Sequence, residues 1–154
     1  MKIATAAYPT DYLTGWRDYA AKIEDWIAQA AGQGAELLVF PEYGAMELAT
    51  LSGRAIAHDL EACIDAVSDR IADADALHAD LAVKYSVHVL AASAPVRDDT
   101  IADRPVNRAR FFTPTGTMGV QDKQIITRFE REDWHIAPGG PLRLFDTALG
   151  KIGI

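Results

Sequence analysis

A short apolar run, Ile3 to Tyr8, is closed by Pro9, and the rhythm of the chain then changes. From about Tyr12 to Ala31 the residues Trp16, Tyr19 and Ala20, Ile23, Trp26 and Ile27, and Ala30 recur three or four positions apart. That is the period of one helical face. Asp11 or Thr10 offers a cap for the first turn, and "GQG" at Gly32 to Gly34 supplies a stop. Leu37 to Phe40 is continuously apolar, as expected of a short strand covered on both faces. Strand, helix, strand in this order favours a parallel pair joined by a right-handed crossover.

Helical spacing returns between Arg54 and Tyr85, where Leu60, Ile64, Val67, Ile71, Ala74, Leu77 and Leu81 alternate with acidic positions. This is one long helix, or two with a break near "DADA". Val87 to Val96 reads as a third strand, followed by a polar loop, "DDTIADRP". "VNRARFFTPTGTMGVQDK", Val106 to Lys123, has two extended runs flanking "PTG", the pattern of a β-hairpin. "APGGP" then reads as a loop, "LRLFDT" as a strand, "ALG" as a turn and "KIGI" as the opening of a further strand. Alternating strands and helices with an antiparallel hairpin predict one α/β domain over residues 1–154, with mixed sheets.

Composition narrows the class without naming a function. At 154 residues, with 49% apolar and 24% charged, the chain has the make-up of one globular domain. A net charge of −7 and no basic stripe argue against a nucleic-acid surface. No apolar run approaches the ~18 residues of a membrane span. The opening "MKIATAAYP" is too short for a secretory signal, and the single cysteine, Cys63, excludes an internal disulfide. A cytoplasmic setting is therefore expected.

Most chemical motifs are absent. His58, His78, His88 and His135 lack metal-ligand spacing, and there is no glycine-rich phosphate loop and no GxSxG elbow. No metal or cofactor is expected. Cys63 lies in a periodic helix and reads as small core filler rather than as a nucleophile. Three charged residues stand out instead. Glu42 follows a buried strand in "LLVFPEYG", Lys123 follows the hairpin, and Glu132 lies in "FEREDW" before "PGG". Each also has a plainer explanation: a helix-start acid, a solvated strand lysine and a member of a charged loop. Tyr43 and Trp134 flank these positions and could line a pocket or pack in the core.

Taken in order, a first strand ending near "AAYP", then "GAELLVFPEYG", "NRARFFTPTGTMGVQDK" and "RFEREDWHIAPGGPLRLFDTALGKIGI" resemble the amino-terminal half of a carbon–nitrogen hydrolase of the nitrilase superfamily. The resemblance implies a four-layer α-β-β-α sandwich, of which this chain is the first part. It implies an amidase-type hydrolase of non-peptide C–N bonds working through a thioester, with a small amide, less readily a nitrile, as substrate. Glu42 matches the family's general base and Lys123 its catalytic lysine. Glu132 matches a second glutamate, preferred to Glu130 on its distance from Pro138. Tyr43 and Trp134 are candidate substrate contacts. Glu42 is expected to be buried, so that it can cycle between protonation states.

The family's nucleophilic cysteine falls just past the "GKIGI" strand. The domain is thus expected to be incomplete at its carboxyl end, with the nucleophile beyond Ile154. Relatives are commonly dimers or larger, so a homo-oligomer is expected as well. A non-catalytic scaffold or binding subunit is the alternative, and the residues after Ile154 discriminate the two.

Overall fold

A computed structural model describes residues 1–98 and 103–154 of the chain. Its elements run β1 (Ile3–Thr5), α1 (Trp16–Gly32), β2 (Leu37–Val39), α2 (Arg54–Ala57), α3 (Leu60–Tyr85), β3 (His88–Val96), β4 (Val106–Phe112), β5 (Met118–Asp122), α4 (Arg128–Glu132), β6 (Leu144–Thr147) and β7 (Gly150–Gly153). Strands β1 to β5 form one sheet in sequence order, and β6–β7 form a separate two-stranded sheet. β1, β2 and β3 are parallel; β3, β4 and β5 are antiparallel. The β-α-β opening, the central helix and the hairpin are all present. Residues 99–102, the middle of the expected polar loop, lie outside the described residues.

Two helix boundaries differ from the periodicity reading. α1 starts at Trp16 with Gly15 before it, and no side chain caps it. Neither Asp11 nor Thr10 serves. Asp11 is held elsewhere: its carboxylate pairs with Lys22 at 2.7 Å and its N–H donates to Glu47 Oε1. The second difference is the break in the middle helix, which falls at His58–Asp59, where the Asp59 side chain accepts from Ala62 N–H at 2.8 Å. "DADA" continues the helix unbroken, because Ala74 is buried and Asp75 reaches Arg110 on β4 at 3.0 Å. A 3-10 segment, Gly44–Ser52, was not anticipated.

The layers follow from the alternation of β4. Phe112 stacks on His78 of α3, ring centroids 5.6 Å apart, while Phe111 meets Phe145 of β6 at 5.7 Å. Successive side chains of a strand point to opposite faces. The helices therefore cover one face and the β6–β7 hairpin lies on the other. That is helix, sheet, sheet, the first three layers of the α-β-β-α sandwich. Gly119 of β5 makes the second contact possible, since a Cβ there would lie 2.3 Å from the Phe145 ring. Among the described residues no helix is long and apolar enough to cross a membrane.

Arg108, Arg110 and Phe112 share the helix-facing side of β4, and the Arg110 side chain is only 3% exposed. Burial lowers its pKa, opposed by Asp75, and burial likewise raises that of Asp75, opposed by Arg110. Removing one member of such a pair leaves the other charge uncompensated. Asp75→Ala is expected to destabilise the protein by roughly 3 kcal/mol, measured by urea unfolding of the complete protein, with Arg110→Met in the same chain recovering part of the loss.

Candidate active site

β2 continues through Phe40, whose N–H donates to Leu90 O at 2.9 Å. Pro41 has no N–H and ends the ladder, so Glu42 leaves the sheet at this point. Tyr43 follows in the left-handed region, φ 59°, which costs a non-glycine residue about 1–2 kcal/mol. Its N–H donates to Ser93 Oγ at 3.0 Å. Ser93 sits where β3 carries one extra residue against β4, between Ala91 and Ala94. A bulge of this kind re-aims a side chain next to a site.

Lys123 is fixed from both sides. Its N–H donates to Asn107 O and its carbonyl accepts from Gly139 N–H, both at 2.8 Å. Gly139 belongs to the "PGG" loop, and a Cβ there would lie 2.4 Å from Asp122 O. Only glycine lets this loop close against the end of β5. Glu130 is oriented by a capping box on α4. Thr127 Oγ1 accepts from Glu130 N–H at 3.3 Å, and Glu130 Oε2 accepts from Thr127 N–H at 2.7 Å.

These elements bring Glu42, Lys123, Glu130 and Asn107 together. Lys123 Nζ donates to Glu42 Oε1 at 2.8 Å and to Glu130 Oε1 and Oε2 at 3.1 and 2.9 Å. Asn107 Nδ2 donates to Glu42 Oε1 at 3.0 Å and to Glu130 Oε1 at 3.3 Å. The Tyr43 hydroxyl donates to Glu130 Oε1. Both oxygens of Glu130 are therefore occupied. Glu42 receives its bonds on Oε1 alone, and Oε2 has no hydrogen bond among the described residues.

Glu132 stands outside this group. It pairs with Arg128 one turn back at 2.8 Å, on an exposed face of α4. The preference for Glu132 over Glu130 is corrected by the geometry. Distance from Pro138 favoured the wrong glutamate, whereas Thr127-x-x-Glu130 carries a capping-box signature. In this chain the Glu42 side chain is 54% exposed, and Glu130, at 4%, is the buried carboxylate. Tyr43 and Trp134 do not line the cavity beside Glu42. Their rings pack edge to face at 4.8 Å, and Trp134 also rests on Phe129 at 5.6 Å. Asn107 escaped the sequence reading, because an asparagine inside a hairpin strand carries no signal of its own.

The cavity beside these groups has a volume of about 480 Å³. Its lining includes Glu42, Lys123, Asn107, Leu90, Ile125 and Ile154. Among the described residues no three His, Cys, Asp or Glu side chains converge in a way that could hold a metal ion.

The carbon-nitrogen hydrolase profile matches residues 2–154. The chain belongs to the carbon-nitrogen hydrolase family. It is 29% identical over its whole length to a probable hydrolase, YhcX, of Bacillus subtilis, and spans 29% of that protein. It is 30% identical over 142 residues to nitrilase 3 of Arabidopsis thaliana, covering 86% of this chain and 40% of that one. Among solved structures, a carbon-nitrogen hydrolase from Helicobacter pylori G27 superposes with a TM-score of 0.71 at 19% identity. That match covers 98% of this chain and 48% of the other. A variant of the amidase from Nesterenkonia sp. AN1 gives 0.67 at 19% identity, covering 99% and 56%. The chain thus spans well under two thirds of each of these relatives, and the likeness to the solved structures establishes the nitrilase-like fold.

In this carbon-nitrogen hydrolase chain the electrostatics follow from the bond pattern. At an effective dielectric near 20, Lys123 and Glu130 attract by of order 5 kcal/mol. Desolvating each ion costs several kcal/mol, so the extra donors decide the balance. Burial opposes the Glu130 charge, but hydrogen bonds from Tyr43, Lys123 and Thr127 outweigh it and hold the carboxyl at about 2. Partial desolvation works against the Lys123 ammonium, and its bonds to Glu42 and Glu130 more than offset this, raising its pKa. Burial, then the bond to Glu130, raises the Tyr43 phenol.

A depressed carboxyl stabilises the fold above its ordinary value and stops doing so as pH falls through the depressed one. For Glu130 these are 4.5 and about 2. Between those limits the unfolding free energy of the complete protein is expected to fall as acid is added. Urea titrations of parent and Glu130→Gln should differ in slope across that window and run parallel above it.

Proposed function

We propose that the complete protein hydrolyses the C–N bond of a small non-peptide amide through a thioester, with Glu42 as proton carrier and Lys123 as the ammonium facing the oxyanion. The observation that carries this reading is the unequal sharing of Lys123. Glu130 has both oxygens occupied, whereas Glu42 lines the cavity and its Oε2 has no hydrogen bond among the described residues. A proton carrier needs an available lone pair within reach of its partner. A fully bonded carboxylate serves better as a fixed counter-charge.

The nucleophile is proposed to be a cysteine in the segment following Ile154, which lines the same cavity as Glu42 and Lys123. Cys63 is unsuited. Its thiol lies on α3, donates to Leu60 O at 3.0 Å, and is pushed up by burial and by Asp59. The amidase from Nesterenkonia sp. AN1, which shares the fold, has an active-site cysteine to which acrylamide adds.

In the proposed cycle Glu42 takes the thiol proton as sulfur attacks the carbonyl carbon, and Lys123 stabilises the resulting oxyanion. Glu42 returns that proton to the nitrogen as the C–N bond breaks, which releases the amine and leaves the thioester. Water, deprotonated by Glu42, then adds to the thioester carbon. The C–S bond breaks, the carboxylic acid departs, and the proton goes back to sulfur. Glu130 keeps Lys123 charged and in place throughout. The amidase that shares the fold supports an amide as the substrate.

The test is amine or ammonia release by the complete protein from a panel of short amides and matching nitriles. Glu42→Gln is expected to lower kcat/KM by about 10³-fold with the fold intact. Glu132→Gln, which breaks only exposed pairs with Arg128 and Arg131, should stay within about twofold of the parent. Full turnover in Glu42→Gln overturns the assignment, and nitriles turned over in preference to amides overturn the substrate class.

A further inference from the structure

We infer that Asn107 is a positioning residue, which fixes the orientation of the Glu42 carboxylate so that one oxygen is held by the site and the other is left to carry the proton. The consequence for turnover rests on the function proposed above; the placement of Glu42 does not.

Asn107 lies on β4 and is 2% exposed. By strand alternation it shares a face with Ala109 and Phe111, the face that meets the cavity and β6. Its Nδ2 donates to both carboxylates, at 3.0 Å to Glu42 and 3.3 Å to Glu130. Its Oδ1 is buried and has no hydrogen-bond partner among the described residues.

That unpaired oxygen is the informative feature. Reversing the amide would set a carbonyl oxygen against two carboxylates, so the carboxylates dictate which end faces them. The buried acceptor has no partner among the described residues, and leaving such a group unpaired is costly. An apolar side chain of similar size would fill the space without that penalty. What Asn107 adds is direction. The Lys123 ammonium is a compact charge with freely rotating donors, and it binds either oxygen of a carboxylate equally well. Glu42 carries a flexible side chain, so Lys123 alone would let its carboxylate turn and shift. The amide of Asn107, immobilised in the sheet, meets Oε1 from a fixed direction. Asn107 and Lys123 both bond Oε1, and Oε2 has no hydrogen bond among the described residues.

The experiment uses the complete protein and the variants Asn107→Ala and Asn107→Ser, the second keeping a small polar group should the first fail to fold. Crystal structures read the placement. The expected result is a Glu42 carboxylate in more than one rotamer, or displaced by about 1 Å or more, with the Lys123–Glu130 contact retained. A single Glu42 rotamer in the parent position, still bonded to Lys123, in the variants overturns the inference.

Kinetics on an amide substrate give the second readout. A misplacement of that size is expected to lower kcat by about 10–100-fold with KM within about threefold. Turnover that depends on Glu42 but is unchanged in both Asn107 variants also overturns it. A complete protein that hydrolyses no amide refutes the proposed function instead, and the crystal structures still decide the role of Asn107.

Discussion

The two-faced alternation of β4 is the constraint on which the rest of the arrangement depends. Phe112 and Arg110 reach α3, while Phe111 meets β6 and Asn107 and Ala109 line the cavity. A slip of one residue would exchange the faces. It would drive two guanidiniums into the cavity and carry Asn107 away from both glutamates. Partners on each side resist such a slip: half-buried Asp75 and buried His78 from the helix layer, half-buried Phe145 from the second sheet. The register is continued past the strands by the Lys123 N–H to Asn107 O bond, which ties the lysine to the asparagine beside it. Packing and site chemistry are therefore set by one register.

Within the site, hydrogen-bond occupancy separates groups that sequence treats alike. Glu130 accepts from Lys123, Asn107, Tyr43 and the Thr127 backbone, and is buried. Glu42 accepts on one oxygen and faces solvent and cavity. The chain contains a useful comparison in Glu47, whose side chain is fully buried. Its Oε1 accepts from Lys22 and from Asp11 N–H, and its Oε2 from the Tyr8 hydroxyl. Like Glu130 it has both oxygens occupied, and it anchors the segment between β1 and α1 against the 3-10 segment. A buried carboxylate of this kind is a fixture. One with an open oxygen at a cavity wall is available for proton transfer.

Two backbone devices hold the groups in place. The left-handed Tyr43 turns the chain immediately after Glu42, secured by Ser93 from a bulge in β3. The close approach of Gly139 to Asp122 holds the "PGG" loop on the end of β5, and its N–H fixes the Lys123 carbonyl. Local strain and close contact of this sort recur where side chains must be held within a fraction of an ångström. Here they act on the residues that precede or follow Glu42 and Lys123.

By itself the sequence determined the parallel β-α-β opening, the long middle helix, the hairpin and the closing pair of strands, because periodicity and turn chemistry act over a few neighbouring residues. It also singled out Glu42, where an apolar strand ends, and Lys123, just past the hairpin. The start of α1 was misjudged because Asp11 is held by Lys22 and Glu47, contacts that span the fold. Glu130 was legible in principle through Thr127-x-x-Glu130, but spacing to Pro138 favoured Glu132, and only the turn of α4 decides which glutamate points inward. The exposure of Glu42, the edge-to-face packing that holds Tyr43 and Trp134 off the cavity, and the part played by Asn107 belong to the tertiary structure. Each depends on groups brought together from distant parts of the chain, and hydrogen-bond occupancy is a property of that meeting rather than of any residue alone.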